Sequence, residues 1–215
     1  MQYSVLYFDL DDTLYPNSNG LWDAIGRRMN DYLRERMGFP PNQISEIRQT
    51  YYETYGTTLR GLQINHAVDA DDYLAYVHDL PIEEFISPDP GLRSLLVSLN
   101  QPKWIFTNAD SNHAGRVLET LGVQECFEGI IDVRALGFLC KPELDAYQRA
   151  ISLVNGFAPE QGVLFDDSPR NLEPAQRLGF TTVLVGTDQC PPGADYAANS
   201  LHELRQVFPN LWSIV

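Results

Sequence analysis

Positive charge is scarce in this chain. Fifteen lysines and arginines stand against 29 aspartates and glutamates, and the net charge of −14 is spread over 215 residues. Such a surface repels nucleic acid and anionic membrane, so neither is expected as a main partner. Any anionic ligand must be drawn in by local cations against the global field. Cysteine is also sparse: Cys126, Cys140 and Cys190 form no CxxC pair and no zinc spacing, which excludes a disulfide framework. Cys140 reads as a small buried thiol. Four histidines, His66, His78, His113 and His202, lie scattered and point to no relay and no zinc site. No apolar run reaches membrane-span length. The start shows no basic segment or cleavage site of a leader, so a cytoplasmic location is expected.

What is present is a globular composition, with 44% apolar and 20% charged residues. Five short apolar runs read as buried parallel strands: SVLYF (4–8), KWIF (103–106), GIIDV (129–133), GVLF (162–165) and TTVLV (181–185). Helical patterns alternate with the later ones. DSNHAGRVLETLG puts Ala114, Val117, Leu118 and Leu121 on one face and stops at Gly122. KPELDAYQRAISLVNG puts Leu144, Tyr147, Ile151 and Val154 on one face, with Pro142 at its first position and Gly156 as its cap. SPRNLEPAQRLG does so with Leu172, Ala175 and Leu178, and Ser168 caps it. SLHELRQVF reads as a last helix. The alternation predicts an α/β, Rossmann-like three-layer sandwich around a central parallel sheet.

The first interval breaks this rhythm. Roughly 95 residues separate the first two strands, far more than a crossover needs. They contain their own helical patterns, around Leu21–Met37, after Pro40-Pro41 with Asn42 as N-cap, and in DADDYLAYVHDL. The expectation is a small α-helical cap over 17–86 inserted in a core of 1–16 and 87–215. Trp22, Trp104 and the Tyr51, Tyr52, Tyr55 cluster read as packing residues.

In open α/β sheets ligands bind beyond the carboxyl ends of the strands. Asp9 and Asp11 follow the first strand, Thr107 and Asn108 the second, and Asp166 and Asp167 the fourth; Lys141 precedes a helix. Asp9 and Asp11, two apart on extended chain, project to one side, and Asp12 to the other. Carboxylates this close need a cation, and a hard ion such as Mg²⁺ suits them; the Ca²⁺-loop spacing is absent. Asp9 is the candidate nucleophile for an aspartyl-phosphate, and Asp11 the acid and base. Thr107, Asn108 and Lys141 would orient phosphoryl oxygens. Arg60 is a candidate for gripping substrate, against the reading of a structural ion pair. Asn171 either orients the metal shell or is an ordinary helix residue. The competing reading of the aspartates as turn and capping groups is weakened by the second DD at 166–167.

FDLDDTLY, FTNAD, CKP and FDDS, in that order, resemble the four motifs of the haloacid dehalogenase-like (HAD) hydrolase superfamily, over nearly the whole chain. The resemblance implies Mg²⁺ held by the Asp9 side chain, the Asp11 backbone carbonyl and Asp167, with Asp166 in the outer shell. Asp11 resembles the phosphatase and phosphomutase branches, since the dehalogenases lack an acid there. DLDDTLYPNSNGLWDAIGRRMNDYL, YGTTLRGL and KWIFTNADSNHAGRVLETLGV resemble the pyrimidine 5′-nucleotidase group, which implies substrates such as UMP or CMP. The alternatives are a sugar-phosphate phosphatase, a phosphomutase, and a catalytically silent binding module on the same fold.

Overall fold

The computed structural model describes residues 3–154 and 156–212. Its centre is a six-stranded parallel sheet in the order β3-β2-β1-β4-β5-β6. The strands are β1 (Val5–Phe8), β2 (Lys103–Phe106), β3 (Gly129–Ile131), β4 (Gly162–Asp166), β5 (Thr181–Val185) and β6 (Tyr196–Ala198). All four residues of β1 are buried, as the unbroken apolar run requires of a strand covered on both faces. Leu6 and Phe8 point to one face, where they join Ile105, Val163 and Phe165 under α5 (Pro90–Val97) and α6 (Ser111–Leu121). Val5 and Tyr7 point to the other, with Leu164 and Leu184 under α7 (Leu144–Leu153) and α8 (Pro169–Leu178). The result is the three-layer sandwich read from the sequence. Each fully buried Leu or Phe contributes about 1.5–3 kcal/mol.

Between β1 and β2, ahead of α5, stand α1 (Leu21–Glu35), α2 (Pro41–Tyr55), α3 (Thr58–His66) and α4 (Ala70–Val77). They share a core of their own, built on Tyr32, Leu33, Ile44, Leu62, Tyr73 and Val77. Leu21 and Ile25 of α1, with Ile82 and Ile86, instead pack into the sheet-side core.

Several local expectations need correction. Pro41, not Asn42, opens α2: Pro40 holds the cap position, and a proline suits the first turn, where its missing N–H costs nothing. Pro142 lies in the loop before α7, which starts at Leu144. Leu144 is therefore exposed at the helix end, and Ala146, Tyr147 and Ala150 form the buried face. The last predicted helix is only a 3₁₀ turn followed by the short α9 (Leu204–Val207). β6 and α3 go unpredicted. The first is three residues long; the second had a signal in Thr57, whose hydroxyl accepts from the Arg60 N–H.

Candidate active site at the carboxyl edge of the sheet

β1 and β4 run side by side, Phe8 opposite Phe165, so Asp9 and Asp166 leave the sheet next to each other. The Asp9 N–H donates to the Phe165 carbonyl at 2.8 Å and pins that exit. Lys141 reaches the same point from the loop before α7. Its buried Nζ lies 2.7 Å from Asp9 Oδ1 and 2.6 Å from Asp166 Oδ2. Carboxylate oxygens of Asp9, Asp166 and Asp167 all fall within 4.8 Å of one another. Three carboxylates thus share one ammonium.

The electrostatic consequence is visible in the acids. Burial pushes the Asp9 carboxyl well up; Lys141 opposes this, and Asp166 and Asp167 add to it. Asp167 is pushed up to about 7, by burial first and by Asp166 next. Burial lowers the affinity of Lys141 for its proton, but the charges of Asp166 and Asp9 outweigh that and hold the ammonium. With all three carboxylates ionised against one ammonium, the cluster is short of two positive charges, and it offers only hard oxygen donors. A divalent cation of the Mg²⁺ type fits it.

The surrounding groups fix this arrangement. Asp166 is spent within the protein: beyond Lys141, its Oδ1 accepts from the Ser168 N–H and from Asn171 Nδ2, both at 2.9 Å. Asn171 therefore orients Asp166. Ser168 occupies the N-cap position of α8, yet its side chain makes no capping bond; its own N–H donates to Asp166. Asn108 also differs from expectation. Its side chain is turned to the Lys141 backbone instead of being left free for phosphoryl oxygens. Thr107 is buried at the cavity wall, with its hydroxyl accepting from the Ala109 N–H. Cys140 is buried as well, and burial pushes its thiol up to about 12.

Asp11 holds a separate network. Its Oδ1 accepts from Tyr15 Oη at 2.5 Å and from His113 Nε2 at 2.8 Å. The His113 ring stacks on His78 at 4.2 Å, and His78 Nδ1 reaches Asp110 Oδ2 at 3.1 Å. Burial lowers the His78 pKa, against the opposing hydrogen bond of Asp110. Asp110 is lowered: burial raises it, and the hydrogen bonds of the His78 ring and the His113 N–H overcome that. The expectation that the histidines form no network is overturned for this pair. His78 and His113 are 35 positions apart and come from different helices, so spacing gave no sign of it. Asp12 does not simply point away. In a left-handed conformation (φ 61°) and held by Asn17, it still borders the cavity.

Over the acids lies a cavity of about 640 Å³, walled on the far side by α1–α4. Asp9, Asp11, Thr107, Asn108, Lys141 and Asp167 line it, and so do Trp22, Arg48 and Tyr52. Trp22 and Tyr52 are therefore wall residues, 43% and 45% exposed, and not packing residues as expected. Trp104 does pack, against Gly129. Arg60 is absent from the lining and instead pairs with Glu143 at 3.6 Å. The cation on this wall is Arg48, which bonds to the Gly26 carbonyl and to Asn30.

Among the described residues no helix is long and apolar enough to cross a membrane. Over 98% of its length the chain is 27% identical to Phosphate metabolism protein 8 of Saccharomyces cerevisiae, covering 70% of that protein. It is 25% identical to the Validoxylamine A 7′-phosphate phosphatase of Streptomyces hygroscopicus subsp. limoneus, over 94% of this chain and 96% of that one. Its fold matches the HAD-hydrolase YfnB of Bacillus subtilis, whose crystal structure is bound to magnesium, with a TM-score of 0.64, 20% identity and full coverage of both chains. The model of the haloacid dehalogenase-like hydrolases matches residues 3–179. With that match across most of its length, the chain belongs to the haloacid dehalogenase-like hydrolase family.

Proposed function

We propose that the protein is a Mg²⁺-dependent phosphomonoester hydrolase that works through an aspartyl-phosphate, with pyrimidine nucleoside 5′-monophosphates as substrates. The observation that carries this reading is the cluster of Asp9, Lys141 and Asp167 at one sheet edge, with Asp11 two residues beyond Asp9. An Asp9 oxygen attacks phosphorus, forming an O–P bond as the bond to the leaving oxygen breaks. Asp11 gives that oxygen its proton. Water then attacks the phosphoryl group, Asp11 takes a proton from it, and Asp9 leaves as a carboxylate. Lys141 and Thr107 orient the phosphoryl oxygens, and Asn108 holds Lys141. The Asp9 carboxylate, the Asp11 carbonyl and Asp167 would hold Mg²⁺, with Asp166 behind them. The ion would supply positive charge that offsets the acids and the transferring phosphoryl group.

The cavity supports a nucleotide-sized substrate: about 640 Å³ is ordinary for a small-molecule site. Trp22 and Tyr52 offer aromatic faces to a planar base, and Asn30, Arg48 and Gln49 offer polar groups to its edge. A second reading, a sugar-phosphate-type substrate, is favoured by the similarity to the validoxylamine phosphate phosphatase. Inorganic phosphate release from a panel of nucleotides and sugar phosphates, with and without Mg²⁺, decides between them. The expected result is Mg²⁺-dependent release that is fastest with UMP or CMP and abolished in Asp9→Asn. Equal rates across the panel would remove the pyrimidine assignment, and full activity of Asp9→Asn would remove the nucleophile.

A further inference from the structure

Behind the acid cluster lies a second polar network, most of whose members have no part in phosphoryl transfer. It begins on Asp11 and runs away from the cavity, through His113 and His78 to Asp110. We infer that His113, seated on the His78 ring, is the positioning residue of Asp11, fixing which carboxylate oxygen faces the leaving group.

Geometry argues for this. Both hydrogen bonds to Asp11 end on one oxygen: Tyr15 Oη and His113 Nε2 both meet Oδ1. Two donors on one oxygen hold the carboxylate against rotation and leave Oδ2 as the oxygen available to the cavity that Asp11 lines. Tyr15 serves only as a donor, since burial first and the Asp11 charge next push its hydroxyl far up. The His113 ring is 1% exposed, and its Nδ1 has no partner among the described residues. A proton on that atom would be a buried, unpaired donor, so the proton belongs on Nε2, where Asp11 accepts it.

The ring is fixed from behind as well. Its backbone N–H donates to Asp110 Oδ1 at 2.8 Å, which makes Asp110 the N-cap of α6. The other oxygen of Asp110 holds His78. One aspartate thus sets both the helix that carries His113 and the ring that His113 stacks on. His78 ends α4, and Arg116 of α6 donates to the His78 carbonyl at 2.9 Å. The orientation of Asp11 is therefore tied to the seating of the helices between β1 and β2.

The inference rests on the phosphatase reading and deepens it, and leaving-group dependence tests it. An alkyl phosphate, such as a nucleoside 5′-monophosphate, must have its leaving oxygen protonated. The leaving group of p-nitrophenyl phosphate departs as an anion. A misplaced Asp11 slows the first far more than the second, whereas general damage slows both. The measurement is single-turnover release of the leaving group, enzyme in excess with Mg²⁺, for both substrates. His113→Phe keeps a ring on His78 and removes the donor. It is expected to raise the aryl-to-alkyl rate ratio about 10²-fold over wild type. His113→Gln, whose amide restores a donor, is expected to stay within about tenfold of the wild-type ratio. A ratio unmoved in His113→Phe, whether both rates fall or neither does, would overturn the inference and leave the phosphatase reading intact. Wild-type protein that releases neither leaving group would remove both.

Discussion

Asn108 grips the backbone of Lys141 with both halves of its side-chain amide. Nδ2 donates to the Lys141 carbonyl at 3.0 Å, and Oδ1 accepts from the Lys141 N–H at 2.8 Å. The ammonium between Asp9 and Asp166 is thus located from its own main chain, by a residue at the end of β2. Asn108→Ala is expected to lose about 1–3 kcal/mol of stability, from two neutral hydrogen bonds. It should also lower kcat by about 10²-fold through displacement of Lys141. Chemical denaturation and steady-state phosphate release check the two parts. A kcat close to wild type would show that Lys141 needs no such hold.

At the proposed metal site, an ion and a proton would compete for Asp167. Its carboxyl is raised from 3.8 to about 7. Between those values Asp167 holds its proton in the folded chain and not in the unfolded one, so its contribution to the stability of the metal-free protein is lost as pH rises from about 4 to about 7. Bound Mg²⁺ would supply the missing positive charges and favour the ionised carboxylate. The rise in Tm on adding Mg²⁺ is therefore expected to be larger near pH 8 than near pH 5. Thermal unfolding with EDTA or Mg²⁺ at the two pH values measures it; equal rises would contradict it.

Gly56 has no room for a side chain. It sits at φ 89°, and a Cβ there would stand 2.7 Å from the Lys141 carbonyl oxygen and 3.0 Å from Cys140 Sγ. Gly56→Ala combines backbone strain with crowding, with an expected loss of about 2–4 kcal/mol. Urea unfolding reads it, and a stability within error of wild type would mean that the junction of α2 and α3 yields easily.

The thiols differ in access. Cys190 is exposed, while Cys140 is buried with its pKa pushed up to about 12. Iodoacetamide near pH 8 is expected to label Cys190 in the folded protein and to reach Cys140 only after denaturation. Peptide mass spectrometry locates the label. Rapid native labelling of Cys140 would show that the contact between Gly56 and the Lys141 loop opens readily.

The sheet and the acid cluster were legible because each rests on local pattern. VLYF, KWIF and TTVLV are unbroken apolar runs, and the residues just beyond strand ends identify the rim whatever the helices do. The side built by α1–α4 was less so. Arg60 and Arg48 both lie on helical segments, and nothing in their neighbours says which turns inward. Trp22 reads as core by residue type and faces the cavity in fact. The His78–His113 stack depends on two helices meeting far apart in sequence, which no spacing rule encodes. Asn108 lines the cavity, but its amide meets the Lys141 backbone, a contact that depends on the tertiary path of the Lys141 loop.

β1 is the first strand in the chain and lies between β2 and β4 in the sheet. During synthesis its apolar residues leave the ribosome long before either neighbour exists. The β2 partner arrives only after α1–α5, and β4 later still. Until then the nascent chain carries a sticky, unpaired segment that chaperones are suited to shield. No truncated product ending before β4 can hold the Asp9–Lys141–Asp166 contact, so the acid cluster assembles late in translation.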